Sequence, residues 1–286
     1  MASRAETIQI RQGEQVETGA LRDFLRDKVE GAADGIAIEQ FPNGHSNLTY
    51  LLRIGGREYV LRRPPLGPVA PKAHDMVREF HVLRAVHPHF PEAPEPVAVC
   101  EDASVLGAPF FVMERRRGVV LREEPPPEIT AVAGYPRLIS EAFLDCMVRL
   151  HAIDISTDAL RALGKPEGYV ERQLRGWTDR WQRAKTEEVP DVEATIGWLA
   201  ERIPTPLAPS LIHNDYKLDN MMLTHGDPGR ISAVLDWEMA TLGDPLSDFG
   251  LTLCYWVWAT APDVRVAGIP ALTARPGWYT RDQLVE

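Results

Sequence analysis

The 286-residue sequence is poor in cysteine, has no long apolar run and has no excess of positive charge. Its three cysteines, Cys100, Cys146 and Cys254, are scattered and odd in number. That argues against a disulfide frame or a clustered zinc site and points to reduced thiols in a cytoplasmic protein. The longest apolar run, Leu251 to Ala261, is too short to span a bilayer. The opening MASRAETIQIRQGEQ is polar and carries no signal segment, so no membrane partner is expected. Lysine and arginine number 31 against 41 acidic residues, a net charge of -10. Such a chain has no electrostatic footprint for nucleic acid. What is present is ample apolar content, 44%, enough to core one large domain or two small ones.

One stretch organises the rest. Leu211 to Asn220, LIHNDYKLDN, is answered by Ala233 to Gly250, AVLDWEMATLGDPLSDFG. Asn220 lies five positions after Asp215, and His213 two before it. A β-type run, Ile231 to Leu235, ends on Asp236. This is the spacing of a protein-kinase catalytic loop and the aspartate that follows it. The chemistry needs those residue types. One carboxylate must accept the proton of an attacking hydroxyl. An amide oxygen and a second carboxylate must hold a hard cation on nucleotide phosphates.

These two stretches resemble the aminoglycoside phosphotransferase and choline kinase-like family, in particular its branch found beside acyl-CoA dehydrogenases. The resemblance runs from about Phe41 to the end of the chain. It implies an α+β, two-lobed protein kinase-like fold. A small β-rich N-lobe is expected over 1–113, with 1–17 a loose leader, and a larger helical C-lobe over 114–286. It implies ATP and Mg²⁺ as cofactors, with Asn220 and Asp236 holding the metal. Asp215 would be the base. Lys217 would face the γ-phosphate or simply lie at the surface.

The upstream residues take roles in that frame. Thr49–Ile54 and Glu58–Arg63 read as strands joined at Gly55–Gly56. Asn43 to Asn47 would cover the phosphates, with Ser46 and Asn47 as contacts, although one glycine is a weak signal. Strand alternation puts Arg62 and Arg63 on opposite faces. Arg62 stands where the family usually has lysine, and an arginine is not a like-for-like replacement. His74–Val86 reads as a helix, with Glu79 beside its apolar stripe as the partner of Arg62. Met113 and Glu114, ending PFFVM and opening the next turn, resemble the segment that meets adenine. Arg115, Arg116 and Arg117 read as solvated.

Farther on, Leu138–Ala152 reads as one helix, with His151 packed at its end. Val170, Leu174, Trp177, Trp181 and Ala184 form one helical stripe, and Val192, Ile196, Leu199 and Ile203 another, mostly core. Arg172, Arg175, Arg180 and Arg183 read as a solvated basic face or an anion-recognising one. Glu238 would share the face of Asp236 or fix its loop. Asp244 and Asp248 read as structural, capping the helix Leu246–Trp258 or bonding the catalytic loop. The DFG at 248–250 opens that helix, so the metal aspartate is Asp236. Arg281–Glu286 looks like the start of a helix, and the resemblance leads one to expect further helices beyond it. The partner is a small molecule bearing a hydroxyl; a homodimer is left open. Two rivals remain: a nucleotide-binding pseudokinase or regulatory module, and a metal-dependent phosphohydrolase using His213, Asp215 and Asp236.

Overall fold

The computed structural model describes residues 6–42, 47–65, 75–121, 124–256 and 271–286. They divide into two compact units. The first is Met1–Val120 with Met221–His225 and Ile231–Glu238, and the second is the remainder. Unit 1 thus runs on past the boundary expected after Met113 and takes in Asp236.

Unit 1 is built on a five-stranded antiparallel sheet of order β1-β2-β3-β5-β4. Its strands are β1 (Ala37–Gln40), β2 (Leu48–Ile54), β3 (Arg57–Arg63), β4 (Pro96–Cys100) and β5 (Phe110–Glu114). Gly55 and Gly56 close the β2–β3 hairpin with φ of 56° and 79°. Positive φ at both positions is the pattern of a type I′ turn, whose twist matches that of the flanking strands. On one face Tyr50, Leu52, Ile54, Leu61, Phe110 and Val112 pack with Leu21 and Leu25 of α1 (Thr18–Leu25). The other face receives α2 (Met76–Val86), where Phe80 meets Phe111 edge-on at 6.4 Å. Asp75 caps α2 by accepting from the Arg78 N–H at 2.9 Å. Helix α3 (Ala103–Leu106) is a single turn before β5. A second small sheet orders β6 (Val119–Val120), β8 (Met221–Thr224) and β9 (Asp227–Val234).

Alternation along β3 holds as expected. Arg63 sits on the Leu61 face, is 2% exposed, and is no idle strand end. Its guanidinium donates to Tyr50 Oη at 2.9 Å, Leu106 O at 3.2 Å and Glu14 O at 2.8 Å. It thereby ties the N-terminal segment to the sheet. Arg63→Ala is expected to destabilise unit 1 by about 3 kcal/mol, because buried carbonyls lose a charged donor. A denaturant midpoint measured by far-UV circular dichroism checks this; an unchanged midpoint would contradict it.

Unit 2 contains α4 (Pro127–Thr130), α5 (Tyr135–His151), α6 (Asp158–Arg161), α7 (Tyr169–Ala184) and α8 (Pro190–Ala200). The antiparallel pair β7 (Ser210–Ile212) and β10 (Thr241–Gly243) follows, with α9 (Pro245–Tyr255) and α10 (Arg281–Val285). Ile139, Phe143, Cys146 and Leu150 of α5 are all fully buried, as their spacing predicts. Phe143 packs on Tyr216 at 4.7 Å and on Trp256 at 5.3 Å.

The stripes of α7 and α8 are a correction. Only Tyr169 of α7 is buried, and no residue of α8. Trp177 is 61% exposed, with the Arg180 guanidinium 4.7 Å from its ring. The two helices hold each other by polar contacts: Trp181 Nε1 and Lys185 Nζ both reach Glu193 Oε1 at 3.0 Å. Arg172 bonds the carbonyls of Lys165 and Glu167, so it fixes the entry to α7.

Candidate active site

The residues singled out in the sequence fall into two groups, one in each unit. In unit 2, β7 delivers His213, Asn214 and Asp215. Asn214 has φ of 61°, a left-handed conformation unusual for a residue with a side chain. Three contacts hold it there. Its N–H donates to Asp248 Oδ1 at 2.8 Å, its Nδ2 donates to Met239 O at 3.1 Å, and Tyr169 Oη donates to its Oδ1 at 2.8 Å. The neighbouring His213 N–H donates to Asp248 Oδ2 at 2.8 Å, and His151 Nε2 lies 3.0 Å from the same oxygen. Asp248, fully buried in α9, therefore bonds the loop as expected, while Asp244 caps α9 through the Leu246 N–H at 2.9 Å. The DFG tripeptide is inside this helix.

The loop then alternates. Tyr216 is fully buried, donating to Phe143 O at 2.9 Å, which leaves Asp215 and Lys217 on the open side. Lys217 Nζ is 2.9 Å from Asp215 Oδ1. Asn220 Nδ2 donates to Asp215 Oδ2 and to Asp215 O, each at 2.8 Å. Burial pulls the Lys217 pKa down most strongly, but the hydrogen bond to Asp215 and the charges of Asp215 and its neighbours together outweigh it, and the group ends raised. Lys217 is thus a charged partner of the candidate base and not a free surface lysine. Asp248→Ala is expected to cost about 2–5 kcal/mol, since the buried His213 N–H and the half-buried Asn214 N–H lose their acceptor. Urea unfolding reads the loss, and amide hydrogen exchange at His213 and Asn214 locates it.

In unit 1, β9 ends at Val234, whose N–H donates to Glu92 O at 2.8 Å. Asp236 follows with φ of 69°, the second left-handed residue carrying a side chain. Strain of this kind is held by its surroundings, and it clusters at functional sites. Here Trp237 is the anchor: fully buried, it donates to Val234 O at 2.8 Å and packs edge-on against Phe90 at 5.9 Å. The β-run does not continue to Glu238; Trp237–Met239 is a 3-10 turn. Glu238 Oε2 instead accepts from Asn47 Nδ2 at 3.2 Å.

Arg62 is 8% exposed and Glu79 wholly buried. Arg62 Nη1 donates to Glu79 Oε1 at 2.5 Å, and Nη2 to Asp236 Oδ1 at 2.9 Å. Burial pushes the Glu79 carboxyl up to about 7 against the pull of Arg62, while Arg62 itself stays fully charged. Arg62 is therefore no solvated strand end. Met113 is in register with Val60, and the Glu114 N–H donates to Glu95 O at 2.9 Å. Ser46 lies outside the described residues, with Asn43–His45. Of the arginines after Glu114, Arg117 is exposed as expected, whereas Arg115 is not. Arg115 is 7% exposed at its side chain, pairing with Glu58 and Glu6, and Arg117 reaches Glu58 at 2.6 Å.

Sequence reasoning missed the Tyr169–Asn214 bond, the Asn47–Glu238 tether and the Arg63 clamp. For Arg63 a signal existed, since alternation placed it beside Leu61 on the apolar face. The other two join distant segments of chain, and no local pattern announces them.

The left-handed loop carrying HxDxxxxN and the left-handed turn carrying DWE are the two motifs expected of a kinase-like phosphotransferase. The chain belongs to the phosphotransferase enzyme family, whose model matches residues 37–281. It is 32% identical to acyl-CoA dehydrogenase family member 10 of Mus musculus over 93% of this chain, and to family member 11 of Gallus gallus over 94%. It spans only 26% and 35% of those proteins' lengths. Hygromycin-B 4-O-kinase of Escherichia coli is 25% identical over 79% of this chain and 63% of its own. Among solved structures, a protein assigned as an aminoglycoside phosphotransferase from Ralstonia eutropha has a TM-score of 0.73 at 32% identity, covering 90% of this chain and 77% of that one. A thermostable mutant of aminoglycoside phosphotransferase APH(4)-Ia, in a ternary complex with ADP and hygromycin B, shares the fold at a TM-score of 0.58 and 22% identity, over 83% of this chain and 77% of its own. The fold is the α+β kinase-like fold of these phosphotransferases.

Proposed function

We propose that the chain transfers the γ-phosphoryl group of ATP to a hydroxyl of a small molecule. The observation that carries this reading is the state of Asp215. Its two oxygens receive Lys217 and Asn220, and its loop is held in a strained conformation by Asp248. A carboxylate oxygen has two lone pairs, so each keeps one for an incoming hydroxyl. Asp215 orients that hydroxyl and takes its proton. Lys217 offsets negative charge as transfer proceeds. Arg62 binds nucleotide phosphates and Glu79 orients it.

Magnesium is the ion this chemistry uses, and it would neutralise phosphate charge. The donor set at Asp236 suits a hard cation. Oxygens of Glu79, Asp236 and Glu238 lie within 4.8 Å of one another, and Glu79 Oε2 is buried without a hydrogen-bond partner. Asn220 is assigned to the same ion on its spacing in the sequence.

A second reading, a regulatory nucleotide-binding module, draws on Arg62, whose terminal nitrogens are both engaged by carboxylates. The deciding experiment is ATP consumption against a panel of hydroxyl compounds. The relatives named as acyl-CoA dehydrogenases put hydroxyacyl compounds first in that panel, with aminoglycosides beside them. Mg·ATP binding with no turnover on any acceptor would favour the regulatory module.

A further inference from the structure

The guanidinium of Arg62 bridges two of the three carboxylates that would otherwise hold a cation. Nη1 meets Glu79 and Nη2 meets Asp236, while Nε is buried with no hydrogen-bond partner. Glu238, the third carboxylate, is tethered by Asn47 and lies in a turn whose carbonyl, Glu238 O, accepts from Arg78. We propose that Arg62 is a built-in counter-ion: it keeps free divalent cations out of the Glu79–Asp236–Glu238 cluster and yields Asp236 only when a phosphate arrives with the cation. The second half rests on the nucleotide reading above; the first stands without it.

The argument is one of compensation. A guanidinium cannot vacate by losing its proton, and its planar fork holds two carboxylates in fixed geometry. A lone divalent ion that takes Asp236 strips Nη2 of its partner. Arg62 already lacks a partner at Nε, so this leaves a buried cation bonded through Nη1 alone. A buried charge that loses one of its two carboxylate partners is costly in a protein interior. A phosphate oxygen removes that cost, because arginine bonds phosphate as readily as carboxylate. Exchange of Nη2 from Asp236 to phosphate therefore lets ion and nucleotide enter together, and disfavours the ion alone. Lysine at this position would hold the cluster less firmly, since its ammonium is a point charge without the fork.

The test is metal binding in the absence of nucleotide. Mn²⁺ is titrated by electron paramagnetic resonance. Tb³⁺ is followed by luminescence sensitised through Trp237, which lies between Asp236 and Glu238 in the sequence. Wild type, Arg62→Lys and Arg62→Met are compared. The expected result is that Arg62→Met binds Mn²⁺ roughly tenfold or more tightly than wild type, with Arg62→Lys between them. The gain should vanish when Asp236→Asn is added. Equal affinity in wild type and Arg62→Met overturns the proposal, as does a gain that survives Asp236→Asn.

If removing Arg62 prevents folding, the wild type alone decides. The Arg62 Nε–H resonance should stay in place with free Mg²⁺ and move with Mg²⁺ plus a non-hydrolysable ATP analogue. Movement with free Mg²⁺ alone overturns the proposal. Absence of any response to the analogue, with Mn²⁺ still excluded by Arg62, overturns the nucleotide reading and leaves the counter-ion role standing.

Discussion

Asp215→Asn is expected to lower phosphoryl transfer by about 10²–10⁴-fold, the usual contribution of a positioned general base. Mg·ATP affinity should change little. The substitution is nearly isosteric, and the new amide oxygen can still accept from Asn220 Nδ2, now 2.8 Å from Asp215 Oδ2. What disappears is the proton acceptor and the anionic partner of Lys217. The fold should survive, because a partly exposed ion pair contributes about 1 kcal/mol at most. The loop conformation depends on Asp248, Tyr169 and Met239, none of which touches the altered atom. A loss confined to the rate marks an interaction made mainly in the transition state. Calorimetric Mg·ATP affinity and single-turnover transfer measure the two quantities separately. A wild-type transfer rate would end the role of Asp215 as base. Joint loss of affinity and thermal stability would make it a brace for the loop.

The parts of this site differ in how readable they were. Arg62 and Arg63 could be assigned to opposite faces because a strand has a strict period of two. What each meets there was not readable in full: Glu79 was in reach of a helix-periodicity argument, while the carbonyls of Glu14 and Leu106 were not. Helix α5 was legible because its stripe is narrow and fully buried. Helices α7 and α8 have stripes just as regular, yet periodicity reports which side is apolar and says nothing of what covers it. Trp177 is the consequence, an aromatic residue at a core-like position that stays 61% exposed. The helical position of the DFG tripeptide was legible, since apolar residues follow Asp248 at helical spacing, and Asp248 serves the loop amides. Left-handed backbone at Asn214 and Asp236 had only a weak marker, because glycine is its usual sign, although asparagine and aspartate adopt it more readily than other residues with side chains. Both are held by tertiary contacts, Asp248 and Tyr169 in one case and Trp237 in the other.

Asp236→Asn is the substitution that separates the metal carboxylate from its neighbours. Asparagine tolerates left-handed backbone better than most residues, so the turn at φ 69° should persist with Trp237 buried beneath it. Its amide oxygen can still accept from Arg62 Nη2, but the buried guanidinium loses one of its two carboxylates, so the cost in stability should be about 2–4 kcal/mol. The charge is nevertheless gone, and a hard cation depends on anionic oxygen. Loss of groups that merely orient a ligand costs 10–100-fold in metal affinity, so a direct ligand should cost roughly a hundredfold or more in Mg²⁺-dependent ATP binding. Titrating ATP with and without Mg²⁺ into wild type and variant isolates that part. A variant whose ATP affinity still rises on adding Mg²⁺ as much as wild type would move the ion off Asp236. Asp248 could not then inherit the role, because it is fully buried and both its oxygens accept loop amides. Glu238 could, since its carboxylate is partly exposed and lies in the same cluster. Glu238→Gln would then carry the loss expected of Asp236→Asn, and Asn47, which tethers Glu238, would become the residue that positions the ligand.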